Sequence, residues 1–110
     1  MCWIAGAIFQ KNGQVDWGNC NVLPSDLLEV DIMVQGYTSS DRQKIIHGSV
    51  DCYTPGGGDH TFNGACVSGA PAGDLFVTIP MSIYGNGQYR IYHAYVVNCA
   101  DGSIMCEVDI

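Results

Sequence analysis

Positive charge is scarce in this sequence. Lys11, Arg42, Lys44 and Arg90 are its only basic residues besides histidine, against eleven acidic ones, for a formal net charge of −7. A nucleic-acid-binding surface neutralises phosphates with a basic patch or stripe, and four scattered cations do not form one. The same shortage disfavours anionic membrane surfaces. Long apolar runs are missing as well. No stretch approaches the ~18 apolar residues of a membrane span, so no span is expected.

Catalytic and metal signatures are also absent. There is no Gly-x-Ser-x-Gly elbow to present a nucleophilic serine. Pro55-Gly56-Gly57-Gly58-Asp59-His60 has the glycines of a phosphate loop but not its Gly-Lys-Ser/Thr ending, so it reads as a plain loop. No Cys-x-x-Cys and no paired Cys/His cluster at zinc spacing occurs, and no metal or other cofactor is expected. No asparagine begins an Asn-x-Ser/Thr acceptor, so N-glycosylation is not expected.

What the chain does have is cysteine. Cys2, Cys20, Cys52, Cys66, Cys99 and Cys106 make an even count of six in 110 residues. In a short chain this reads as three disulfides and an oxidising, extracellular compartment. Reduced cysteines packed as small hydrophobes in a cytosolic protein are the alternative. Hydrophobic residues make up 47% of the chain, enough for a real core, so disulfides would staple that core and not replace it. Residues 1–110 read as a single small domain. Met1 to Phe9 lack the basic start of a secretory signal, so a secreted reading implies a signal already removed.

Turn chemistry is the clearest local signal. Asn12-Gly13, Asn63-Gly64, Asn86-Gly87 and Asp101-Gly102 tolerate the positive φ of tight hairpins. A hairpin from Leu75 to Asn98 around Asn86-Gly87 is expected, pairing Ile79 with Ala94 and Val77 with Val96. Its apolar face would carry Leu75, Val77, Ile79, Met81 and Ile83 with Tyr92, Ala94 and Val96. Pro80 marks an edge or a bulge. Ile104 to Asp109 reads as a further strand, and a turn at Gly102-Ser103 would set Cys99 opposite Cys106 for a cross-strand disulfide. Val30, Ile32 and Val34 alternate with Asp31 and Met33 and read as another strand, and Cys2 to Gln10 reads as a strand. Ser40-Asp41-Arg42-Gln43 has a capping-box pattern, followed by Ile45, Ile46, Ser49, Cys52 and Tyr53 at helical spacing. These residues predict a helix over 40–53. The expected fold is α+β: an antiparallel sheet with one or two helices packed on it, stapled by disulfides.

Two functional readings compete for the surface. Tyr84, Tyr89, His93 and Tyr95 lie on one face of the expected hairpin and combine apolar area with hydrogen-bonding tips, which suits recognition of a protein partner. A helix covering that face would make it core instead. His47, His60 and His93 raise a ribonuclease reading, which needs a base, an acid and a cation converging on a phosphate. Arg90 and His93 fall on opposite faces of a regular strand, which weakens it.

The widely spaced cysteines, the glycine-rich turns, the Ser40–Cys52 segment, the Pro55–Gly58 loop and Cys66 together resemble small secreted cysteine-rich proteins of fungi. Effectors of plant pathogens and virally encoded killer toxins are of this kind. The resemblance is one of whole-chain style and transfers no residue role. It implies a secreted virulence-type effector that binds a host or co-secreted protein. A killer-toxin-like or antimicrobial protein and a secreted ribonuclease are the alternatives. An exposed edge strand would also allow a dimer or a heteromer.

Overall fold

Alternation with a period of two, not helical spacing, organises the chain. The structure, a computed structural model, describes residues 1–16 and 21–110. In chain order its elements are β1 (Trp3–Lys11), β2 (Gln14–Val15), β3 (Asn21–Val22), β4 (Leu28–Gln35), α1 (Ser39–Arg42), β5 (Ile45–Tyr53) and β6 (Asp59–Asn63). Then follow β7 (Val67–Ser68), β8 (Leu75–Thr78), α2 (Met81–Tyr84), β9 (Gly87–Gln88), β10 (Arg90–Asn98) and β11 (Ile104–Asp109).

The expected α+β class is overturned. Strand accounts for 55% of the described residues and helix for 8%, in two four-residue turns. One antiparallel sheet runs β2-β1-β4-β8 and a second runs β11-β10-β5-β6, with β7 also paired to β5. A short pair, β3 with β9, stands apart. The two larger sheets pack face to face around Leu28, Val30, Ile32, Val77, Ile46, Val50 and Val96, all essentially sealed from solvent. Burying each such side chain stabilises the fold by roughly 1.5–3 kcal/mol relative to exposure.

The predicted helix over 40–53 is a strand for most of its length. The capping box forms two residues earlier than expected: Thr38 is the N-cap, its side chain accepts from Asp41 N–H, and the Asp41 carboxylate accepts from Thr38 N–H. The helix ends at Arg42. Beyond it Ile46, Gly48, Val50 and Cys52 alternate inward, which the apparent helical spacing of their neighbours obscured. β-Branched residues favour the strand. Gly48 is the point of closest approach between sheets: a Cβ there would lie 2.7 Å from Ile32 Cδ1 and 3.1 Å from Leu75 Cβ.

The expected Leu75–Asn98 hairpin does not form. β8 pairs with β4, placing Val77 opposite Val30, and β10 pairs with β5 and β11. Pro80, which has no N–H to give a ladder, opens the helical turn α2, and the chain crosses there from one sheet to the other. Other expectations hold. The Asn12-Gly13 turn joins β1 to β2, with Asn12 at φ 55° and Gly13 at φ 79°, and pairs Lys11 with Gln14. The strand at Val30 to Val34 and the C-terminal strand are present.

The cysteines pair differently from the expected Cys99–Cys106 bond. Cys2 bonds Cys106 and Cys66 bonds Cys99, with Cα–Cα separations of 5.8 and 6.4 Å. Asn98 N–H donates to Ser103 C=O, so Cys99 falls inside the connecting loop while Cys106 sits across from Val96. They cannot meet. Cys52 is a buried free thiol, and Cys20 lies outside the described residues. Among the described residues no helix is long and apolar enough to cross a membrane.

Candidate functional site

The outer face of the β11-β10-β5-β6 sheet gathers aromatic and ionisable side chains. A bulge builds it. β10 pairs Ile91 with Cys52 and then His93 with Asp51, so Tyr92 is the extra residue. Ile91 and Ala94 stay buried on the inner side, while Tyr92 and His93 both remain partly open. A bulge re-aims side chains in this way by breaking the two-residue period. The expected apolar face had placed Tyr92 inward, and the bulge overturns that position.

Four rings result. Tyr53 and Tyr92 stack with centroids 4.7 Å apart, and His93 and Tyr95 at 4.4 Å. The Arg90 guanidinium lies 5.7 Å over the Tyr53 ring, a cation–π contact. Tyr92 OH donates to Asp59 at 2.9 Å. That hydrogen bond, followed by burial and the nearby carboxylates, pushes the Tyr92 phenol up to about 12.

His93 is held at both nitrogens. Nδ1 lies 2.5 Å from Asp109 and Nε2 3.1 Å from Glu107. Both carboxylates come from β11, whose alternation sends Glu107 and Asp109 to one side. Burial disfavours charge on the ring, but the hydrogen bonds to Glu107 and Asp109 and their charges outweigh it, so His93 sits above its ordinary value. Beneath these groups Asp51 accepts from Thr61 OH at 2.5 Å, and Ser49 OH donates to Asn63 at 2.7 Å.

Of the binding residues expected from sequence, this face unites two, His93 and Tyr95. Tyr89 is buried and donates its OH to the Gly85 carbonyl. Tyr84, on α2, packs against His60 at 4.4 Å and Phe62 at 5.3 Å. Sequence reasoning missed Tyr53, assigned to the helix, and Tyr92. The remaining histidines do not join His93. His47 pairs with Val97, four positions along β10 and so about 14 Å away at ~3.4 Å per residue. His60 lies on the opposite side of the sheet with Phe62. The described face therefore brings together no pair of histidines of the kind that acid–base cleavage of RNA uses. Among the described residues no group of three His, Cys, Asp or Glu side chains is arranged to hold a metal ion.

No family model, no curated protein and no solved structure matches this chain.

Proposed function

We propose that the protein is a secreted, effector-type binding protein that engages a host or co-secreted protein through the outer face of its five-stranded sheet. The observation that carries this reading is the bulge at Tyr92, which brings Tyr53, Tyr92, His93 and Tyr95 together outside the core. Tyrosines supply large contact area at low entropic cost, and their hydroxyls satisfy hydrogen bonds at a wet rim. The sheet beneath holds them rigidly, so little ordering is required on association. Two disulfides suit an extracellular setting.

A pull-down from host extract, with captured proteins identified by mass spectrometry, tests the surface. Tyr53→Ala and Tyr95→Ala are expected to lose the partner. Ile83→Ala, an exposed apolar change on α2, is expected to keep it. Equal capture by all three variants would remove this face from the mechanism.

A further inference from the structure

The histidine on the tyrosine face is offered more acceptors than a neutral ring can serve. Nδ1 of His93 is within hydrogen-bond distance of Asp109, and Nε2 of Glu107. A neutral imidazole carries one N–H and an imidazolium carries two. The clamp closed at both nitrogens is therefore the protonated state. Loss of that proton leaves one nitrogen without hydrogen, and its carboxylate is released. The contact of 2.5 Å to Asp109 is the stronger of the two, so Glu107, at 3.1 Å, is the one that goes free.

That release bears directly on the tyrosines. Glu107 stands opposite Tyr95 in the β10–β11 register, and the His93 ring stacks on Tyr95 at 4.4 Å. Residues directly opposite have Cβ atoms about 5 Å apart, so a partner that covers Tyr95 also covers the half-exposed Glu107. With His93 protonated, the Glu107 carboxylate is buried already paired. With His93 neutral it is buried alone, and a desolvated carboxylate without a donor is costly. The surroundings do not supply the missing charge. On β5, Asp51 stands opposite His93 and accepts from Thr61 of β6; on β6, Asp59 accepts from Tyr92. β10 itself adds the phenols of Tyr92 and Tyr95 and one cation, Arg90, which is held over the Tyr53 ring. Burial opposes charge on His93, but Glu107 and Asp109 outweigh it and hold the ring above its ordinary value, so the closed clamp outlasts the charge of a free histidine as pH rises.

We propose that docking on the tyrosine face is coupled to a proton on His93, so that the face holds its partner tightly in an acidic medium and weakly above neutrality. The coupling rests on the reading of this face as the partner-binding surface. Its sign follows from which state can be buried at lower cost. The imidazolium keeps both carboxylates satisfied beneath the partner, and the neutral ring keeps only one. Linkage then requires that a partner on the face strengthens proton binding by the same factor that the proton strengthens docking.

A histidine-free peptide display library, selected on the immobilised protein in parallel near pH 5.5 and near pH 8, supplies the probes. Peptides that Tyr95→Ala weakens are synthesised and titrated by fluorescence anisotropy at both values. From either selection they are expected to bind about tenfold more tightly near pH 5.5. His93→Gln should bind them weakly at both values and Glu107→Gln tightly at both, each changing less than about twofold with pH. Asp31, whose carboxyl is raised to about 6, is present in both variants, as are His47 and His60, so a lost pH dependence belongs to the clamp. Equal affinity at the two values, tighter binding near pH 8, or a dependence that survives both substitutions would overturn the coupling and leave the tyrosine face standing. Weak binding by Glu107→Gln at both values would overturn it too, by making that carboxylate a direct contact. If neither selection yields a peptide that depends on Tyr95, the face itself is removed and the coupling falls with it.

Discussion

At the scale of single residues, three titrating groups have checkable consequences. Asp31 has its carboxyl raised from 3.8 to about 6, first by burial and then by Asp74. The folded state therefore binds this proton more tightly than the unfolded chain does. Its contribution to stability is fully present below about pH 4 and is lost as pH rises through about 6. Asp31→Asn removes the ionised group, and after allowance for solvent screening should raise stability near pH 8 by about 1 kcal/mol. The gain should vanish near pH 4. Urea denaturation at the two values checks this, and a variant equally stabilised at both would contradict it. His93 has the same sign of linkage for the opposite charge. Its folded value is raised by Glu107 and Asp109, so the clamp contributes below the ordinary histidine range and is lost as pH rises through the raised value. An NMR titration of its ring should move down in Glu107→Gln/Asp109→Asn. Cys52 is inert by the same physics. Burial raises its thiol to about 11. Iodoacetamide should leave it unmodified in the native protein and alkylate it after unfolding. Rapid native alkylation would show that this strand opens.

At the scale of elements, the two sheets meet so closely at β5 that side-chain volume is fixed by backbone spacing. Gly48→Ala should cost about 1–3 kcal/mol through overpacking, since its Cβ would press on Ile32 and on the less movable Leu75 Cβ. Adding Ile32→Val removes the Cδ1 atom and should restore part of the loss in chemical denaturation. No recovery would mean that Leu75 carries the whole clash. The same segment explains what was legible in the sequence. Val30, Ile32 and Val34 announce their strand because Asp31 and Met33 separate them at a period of two, and Ile104 to Asp109 also reads as a strand. Ile45, Ile46, Ser49, Cys52 and Tyr53 satisfy a helical period, and only the inward contact of Gly48 with the other sheet decides for a strand. That contact is non-local and leaves no mark in the local pattern. Leu75, Val77, Ala94 and Val96 are buried as their alternation implied, yet their partners are β4 and β5, not each other. Alternation specifies a face and says nothing of which strand lies alongside. The candidate site follows this division. Tyr95 and His93 share a face by simple period two, whereas Tyr92 reaches that face only through a bulge, and Tyr53 only once β5 is a strand.

At the scale of the whole molecule, the two disulfides act on very different lengths of chain. Cys2–Cys106 spans 104 residues and ties the first strand to the last, while Cys66–Cys99 spans 33. Loop closure in the unfolded chain grows with the logarithm of length, so the longer bond should contribute about 1 kcal/mol more, within a total of roughly 2–5 kcal/mol for each. Only the longer bond joins elements that strand pairing does not unite. Cys2 precedes β1 in one sheet and Cys106 lies on β11 in the other, so their bond holds the sandwich shut along one side. Cys66 and Cys99 join two loops at one end of β5, where Cys99 N–H also donates to Ile45 C=O. Losing that second bond leaves a backbone contact in place, which argues for the same ranking as chain entropy. Cys2→Ser/Cys106→Ser should therefore fall further in Tm than Cys66→Ser/Cys99→Ser, each read in denaturation of the oxidised protein. The reverse order would locate the weak point of the sandwich at the loop end of β5 and not along its open side.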